Sequence, residues 1–463
     1  MKKILAILML LVPSGAWAVS DWLGRLVPEV HELPTQSCSH ALENGLDYSD
    51  RYAPFMPSDG FEMPTLVASA PPTELPTIHT MDGDVAPPPI ETRPHQLPPP
   101  FLEGDLVDIW KVGDVFRRAA VGERVRVTFL GSTHVASGQW TDHIRSVLQR
   151  RYGDAGHGLV LPNADRTDLN LCLSDDWQHV GTRRGITDDL IGLGLALSSD
   201  QESDFAWVET GTNQVVDRIR VFGLMQPGGG HLRVILDADT EMKIPTMSNE
   251  VSLMQAHIEV PWGAHRLTLS PQGDGPVRLL GVSAETIGSG VVVDSIGRHD
   301  HRAHEFTSLD SSLRTELLQV LDPDLIVLAY GTEEAADSAL DMDSWTEQVR
   351  DQLRAVRQAA PQASCIVVGP PDRGIRDRNA PKIWDRTELI ADVQRKVAPE
   401  FGCVFWDWQQ ATGGAGSMIV WRAYDPPLAA SDLIHFTPAG YTVSAEQFVA
   451  SLDEAMNLEI IHP

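Results

Sequence analysis

The chain has 463 residues, 42% of them hydrophobic and 22% charged, and its 36 basic residues against 64 acidic ones leave a formal net charge of −28. The length calls for more than one domain, and the composition is that of a globular protein. A surface this acidic repels nucleic acid and anionic membranes, which argues against both as partners.

Lys2 and Lys3 precede an apolar run from Ile4 to Val12, and Ala16-Trp17-Ala18 follows as a small-x-small site. That pattern predicts a signal peptide over 1–18 and an exported, secreted protein. The run is too short to span a bilayer, and no later stretch reaches that length, so no membrane span is expected. Residues 19–53 form a mixed N-terminal segment to which no function is assigned. Residues 54–104 are proline-rich, with PPP at 87–89 and again at 98–100. Such composition predicts an extended linker without helix or central strand.

Folded structure is expected from Asp105. Leu106, Ile109, Val112, Val115 and Phe116 recur at helical spacing. RVRVTFLGSTH (124–134) reads as a buried strand ending in a turn that offers Ser132, Thr133 or His134 at its carboxyl end. An amphipathic helix from Trp140 to Tyr152 follows. Helical periodicity then disappears. Between 171 and 286, short alternating runs such as DRIRVFGLMQ, HLRVILDAD and AHRLTLS are parted by PGGG, PWG and PQGDG. These are strand and turn signals and predict an all-β sandwich. Trp262 and His265 lie at a strand start of this module, where ordinary packing is the expected role.

From 287 to 460, strands and helices alternate again: VVVDSI, then a helix over 308–321, DLIVLAYGT (324–332) as a buried strand, a helix over 345–359, CIVVGPP, a helix over 383–397, CVFWDW, and a closing helix from Pro438. The fold class that follows is α/β. A doubly wound parallel sheet is built from 105–170 and 287–460, with the β-sandwich of 171–286 inserted in its first crossover. Four cysteines are present. Cys365 and Cys403 each open a strand and either bond across neighbouring strands or stay as buried thiols; Cys38 and Cys172 are left unassigned.

The order of these motifs resembles the SGNH (GDSL-like) hydrolase superfamily, in its exported bacterial branch of carbohydrate and peptidoglycan O-acetylesterases. HVASGQWT, RRYGDAGHGLVLP, VVVDSIG, DLIVLAYGT, VVGPPDRG, FWDWQQATGGAGSM and DLIHFTPAGY carry the resemblance. It implies a flavodoxin-like sheet, a periplasmic setting, and a cell-envelope glycan or acylated carbohydrate as partner. The implied chemistry is acyl transfer from a serine, with an oxyanion hole built from a glycine N–H and an asparagine side chain. An Asp-x-x-His pair serves as orienting acid and general base.

Carried over position by position, the blocks depart from that pattern. Asp432-Leu433-Ile434-His435 is intact. Where relatives read Gly-Asp-Ser-His, this chain reads Gly131-Ser132-Thr133-His134, which puts Thr133 at the nucleophile and Ser132 one position early. A threonine methyl restricts χ1 and crowds attack. Where relatives read Gly-Thr-Asn-Glu, this chain reads Gly331-Thr332-Glu333-Glu334. An ionised Glu333 accepts hydrogen bonds but donates none. In the second block Asp300 takes the position of the oxyanion glycine. His134 and Gly331 are expected to line the ligand site. Three of four blocks are altered against acyl transfer, so impaired catalysis with glycan binding or scaffolding is expected. The alternative is an active esterase using Thr133 or Ser132 with His435 and Asp432. Neither a cofactor nor a metal is expected; His299, His301 and His304 read as a solvated polar turn.

Overall fold

The computed structural model describes residues 78–80, 83–85, 101–161, 170–174, 177–181, 188–210, 216–237, 239–376 and 381–458. The signal peptide, the 19–53 segment, most of the proline-rich stretch and Cys38 lie outside the described residues. No helix among the described residues is long and apolar enough to cross a membrane. The chain divides into two compact units.

The α/β unit is built on five parallel strands: β1 (Arg124–Gly131), β2 (Gly290–Gly297), β3 (Leu325–Ala329), β4 (Ser364–Val368) and β5 (Val404–Trp406), in the order β2-β1-β3-β4-β5. That is the flavodoxin-like order, whose ligand crevice lies at the carboxyl ends where the strand order reverses, between β1 and β3. Every residue of β1 from Val125 to Gly131 is buried. Its polar positions are buried as well as its valines, because they pair inside the sheet. Arg126 Nη1 meets Asp294 Oδ1 at 2.6 Å, and Thr128 Oγ1 donates to Asp294 Oδ2 at 2.5 Å. Such a pair holds only because each charge keeps hydrogen-bond partners.

Helices α1 (Leu106–Ala120), α2 (Thr133–Ala136), α3 (Gln139–Tyr152) and the closing helix Pro438–Met456 belong to this unit. Asp105 and Thr437 cap the first and last through side-chain bonds to Val107 N and Gly440 N. Trp140, Trp406 and Trp408 are core residues, with Trp140 stacked on Trp408 at 4.3 Å between ring centroids. Cys365 and Cys403 form a disulfide, one residue ahead of the paired Ile366 and Val404 of β4 and β5.

Two expectations are corrected. DLIVLAYGT stops as a strand at Ala329, and Thr332–Ala336 is a short helix. Gly331, at φ 117°, turns the chain there, a conformation that costs a glycine little. Within the proline-rich stretch, Ile78–Thr80 and Gly83–Val85 pair antiparallel, and His79 pairs with Lys382 in parallel. The eight residues IHTMDGDV hold no proline, so each keeps the backbone N–H that pairing needs and that prolines in the flanking sequence lack.

The second unit takes in Leu159–Gly181 and Leu190–Ile287. It holds two antiparallel sheets. One runs, in spatial order, through Thr240–Pro245, His231–Leu236, Arg266–Pro271, Ala206–Glu209 and Asn170–Leu173. The other contains Ser252–Gly263, Val216–Met225, Val277–Glu285, Ala196–Ser199 and Gln178–Val180. Alternate residues such as Val221, Val234, Ile258 and Leu269 form its core. Trp262 is not packed as expected: 68% of its surface is exposed, and it lies within the irregular stretch between Glu259 and Gly263, where the register of its strand shifts.

Candidate active site

The site is set by strand register. Gly131 at the end of β1 lies opposite Gly297 of β2 and Ala329 of β3, so three strands end flush. A Cβ on Gly297 would lie 2.2 Å from the Ala136 backbone nitrogen, so its bare backbone lets α2 pack against β2. The turns that leave these strands bring Thr133, Asp300 and Glu333 together.

Thr133 Oγ1 sits at the centre. It lies 3.2 Å from Glu333 Oε1, to which it donates, and accepts the Asp300 backbone N–H at 3.0 Å. Asp300 has φ 59°, the left-handed region that glycine tolerates best and aspartate accepts at some cost. The backbone donor expected of the second block is therefore in place on a residue that adds a carboxylate. Burial, and then the Asp300 carboxylate, push the Glu333 carboxyl up; the Thr133 hydroxyl, Arg373 and His435 pull the other way.

The fifth block forms a closed turn. Asp432 Oδ2 meets His435 Nδ1 at 2.7 Å, and Asp432 Oδ1 accepts the N–H groups of Ile434 and His435 at 2.9 and 3.0 Å. Leu433, at φ 62°, lets the chain fold back for this. Burial works against the Asp432 charge, yet the bonds and charge of His435 hold its carboxyl well below the usual carboxylate range.

Ser132 and His134 lie elsewhere than expected of ligand contacts. Ser132 is 1% exposed, and its Oγ is buried without a partner. His134 is also 1% exposed; Nδ1 is 2.9 Å from the Tyr441 hydroxyl, and the ring packs against Trp408, His435 and Phe436. Burial, reinforced by His435, holds His134 neutral, well below its ordinary pKa. It ties the first block to the fifth. Gly331 is buried too, and its N–H is taken by Glu334 Oε2 at 3.0 Å.

Two residues escaped the sequence reading. Glu334, fully buried, also accepts the Ala303 N–H at 2.6 Å through Oε1, joining the turn after β3 to the one after β2. Burial pushes its carboxyl up to about 7. Arg373, in the loop after β4, donates to the Thr332 carbonyl at 3.1 Å and faces the Glu333 and Asp432 charges. Its place in PPDRG, just past a predicted strand, was the available signal, since ligand sites gather at that end of the sheet. Asp372 beside it is buried and accepts from Gln409 Nε2 and Met418 N, which anchors the loop.

The 298–305 stretch is only in part the solvated turn expected: Asp300 and His304 are exposed, but other residues turn inward. Arg298 and His301 are 5% and 4% exposed because the chain folds inward before the helix Ala303–Thr307. Burial lowers Arg298 to about 10 and His301 to about 3. No group of three or more metal-ligating side chains occurs among the described residues.

Residues 257–443 match the GDSL-like Lipase/Acylhydrolase family. The match takes in the Asp300, Glu333 and Asp432–His435 blocks but not the Gly131–His134 turn, which the sheet register brings to them. A solved peptidoglycan O-acetylesterase is similar at 23% identity, covering 76% of this chain and 97% of that one, with a TM-score of 0.65. A family two carbohydrate esterase from Cellvibrio japonicus (12% identity, 62% and 98% coverage, TM-score 0.27) is too distant to carry an argument. So is a GDSL-like lipase from Bacteroides thetaiotaomicron (17%, 36% and 76%, TM-score 0.27). No curated protein sequence matches significantly. The family match over residues 257–443 and the five-stranded parallel sheet give the α/β unit the SGNH, or GDSL-like, hydrolase fold.

Proposed function

We propose that this is an exported, periplasmic SGNH-fold protein that binds or scaffolds an O-acylated cell-envelope glycan, with its acyl-transfer chemistry impaired. The carrying observation is the Thr133–Glu333 hydrogen bond. The hydroxyl at the nucleophile position donates to a carboxylate that stands where the family has an amide donor. An ionised carboxylate cannot stabilise a developing oxyanion, and losing one such donor costs about 3–4 kcal/mol. The fold shared with a peptidoglycan O-acetylesterase supports the glycan. The Lys2–Ala18 leader pattern and the Cys365–Cys403 disulfide support export, since disulfides persist in oxidising compartments.

The test is acetyl-ester hydrolysis by purified protein against a His435→Ala control. Equal, background-level rates are expected. Turnover that vanishes in the control would establish the second reading, an esterase using Thr133. That reading draws on the intact Asp432–His435 pair and on the Asp300 N–H held at the Thr133 hydroxyl. Ser132 is the weaker nucleophile of the two, because its hydroxyl is buried.

A further inference from the structure

The turn after β2 buries a guanidinium that the protein leaves unbonded. Arg298 is 5% exposed, and its Nη1 and Nη2 are both buried with no hydrogen-bond partner among the described residues. Burial lowers its pKa only to about 10, so it stays charged at neutral pH. Its backbone is fixed, since the Arg298 N–H donates to the Gly131 carbonyl at 3.2 Å. His301, on the same turn, is 4% exposed, and its Nε2 is likewise buried without a partner. The two side chains are close enough that the Arg298 charge acts on His301.

The acceptors around them are already in use. Glu305 acts on Arg298 through charge alone, and its Oε1 lies 3.8 Å from His301 Nε2, outside hydrogen-bonding range. Its Oε2 takes the Arg302 N–H at 2.8 Å. Glu334, the other carboxylate near the Tyr330 hydroxyl, has both oxygens on backbone N–H groups, those of Ala303 and Gly331. Arg314 brings a second buried guanidinium beside Phe306; its Nη1 bonds three backbone carbonyls and Asp310 offsets its charge in part. Donors therefore outnumber acceptors. A buried charged donor left unbonded is destabilising, and an ion or a water must relieve it.

We infer that Arg298 and His301 hold a small inorganic anion of halide size in the turn that carries Asp300. Such an ion supplies both an acceptor and a negative charge to the guanidinium, whereas a water supplies only the acceptor. The terminal nitrogens of Arg298 are closed to solvent, which favours a monatomic ion over a bulky one. The consequence reaches the candidate site. Asp300, at φ 59°, lies between Arg298 and His301, and its N–H meets Thr133 Oγ1. An anion bridging the two side chains fixes both ends of that strained turn.

The experiment is thermal unfolding of the full-length protein at neutral pH and constant ionic strength, with sodium chloride exchanged for sodium gluconate. The melting temperature is expected to rise saturably, by about 3–5 °C once chloride is in about tenfold excess over its dissociation constant. Bromide should replace chloride. The dependence should vanish in Arg298→Met, which keeps much of the bulk and removes the charge. A melting temperature that ignores chloride overturns the site and assigns the guanidinium to water alone. A dependence undiminished in Arg298→Met also overturns it, because the ion then binds elsewhere. If that variant fails to fold, crystals of the wild-type protein soaked in bromide decide by anomalous scattering. A peak at the Arg298 guanidinium supports the site, and its absence there overturns it.

Discussion

Thr133 Oγ1 donates to Glu333 Oε1 across 3.2 Å while it accepts the N–H of Asp300. The hydroxyl is held from both sides by groups carried on neighbouring strands. One is a backbone donor; the other is a carboxylate, which in ionised form only accepts.

Glu333→Asn should therefore restore function more than any other single change. Asparagine returns a donor worth about 3–4 kcal/mol in the transition state. Acetyl-ester turnover is expected to rise by about a hundredfold or less in the single variant, limited by Thr133, and further when Thr133→Ser and Asp300→Gly are added. A triple variant that stays at background would overturn the assignment of these blocks as the cause of impairment.

Asp432 closes its turn with three bonds, two of them to backbone N–H groups. Asp432→Ala should lower unfolding stability by about 1–3 kcal/mol, as for loss of charge-assisted bonds, read by urea denaturation. Its folded pKa is depressed, so the stability it contributes is present above the ordinary carboxylate range and is lost as pH falls from that range through the lower folded value.

Glu334 and Asp372 act in the opposite direction. Burial raises their carboxyls to about 7 and about 6, so from about pH 4.5 upward the folded state holds protons that the unfolded chain has released. Stability contributed by that protonation is full below the unfolded values and is lost as pH rises through the folded ones. The melting temperature should fall between about pH 5 and pH 7.5. Asp372→Asn, although less stable overall, should show a shallower fall; an unchanged slope would remove Asp372 as a cause.

The Cys365–Cys403 bond closes a loop with a sequence separation of 38. Chain-entropy arithmetic puts its contribution at about 4 kcal/mol. Urea midpoints measured with and without reductant should differ accordingly, and a Cys365→Ala, Cys403→Ala double variant should be indifferent to reductant.

The alternation of strands and helices was readable along the chain because each has its own hydrophobic period, and β1 was found nearly to the residue. Boundaries failed where a single backbone conformation decided them, as at Gly331, or where a proline-free island paired with a distant segment, as with His79 and Lys382. His134 looked like a ligand residue because polar side chains at a strand end often are. Its burial among Trp408, Phe436 and Tyr441 depends on residues some three hundred positions away.

By itself the sequence determined the residue types at the candidate site: a threonine at the end of β1, two carboxylates in the turns after β2 and β3, and the Asp432–His435 pair. Side-chain chemistry is local and can be read without a fold. Only the tertiary structure decided what those groups do to one another. The flush ends of β1, β2 and β3 place the Thr133 hydroxyl between the Asp300 N–H and the Glu333 carboxylate, and the loop after β4 adds Arg373. Those contacts depend on register and burial, which arise from the packed sheet rather than from any one stretch of chain.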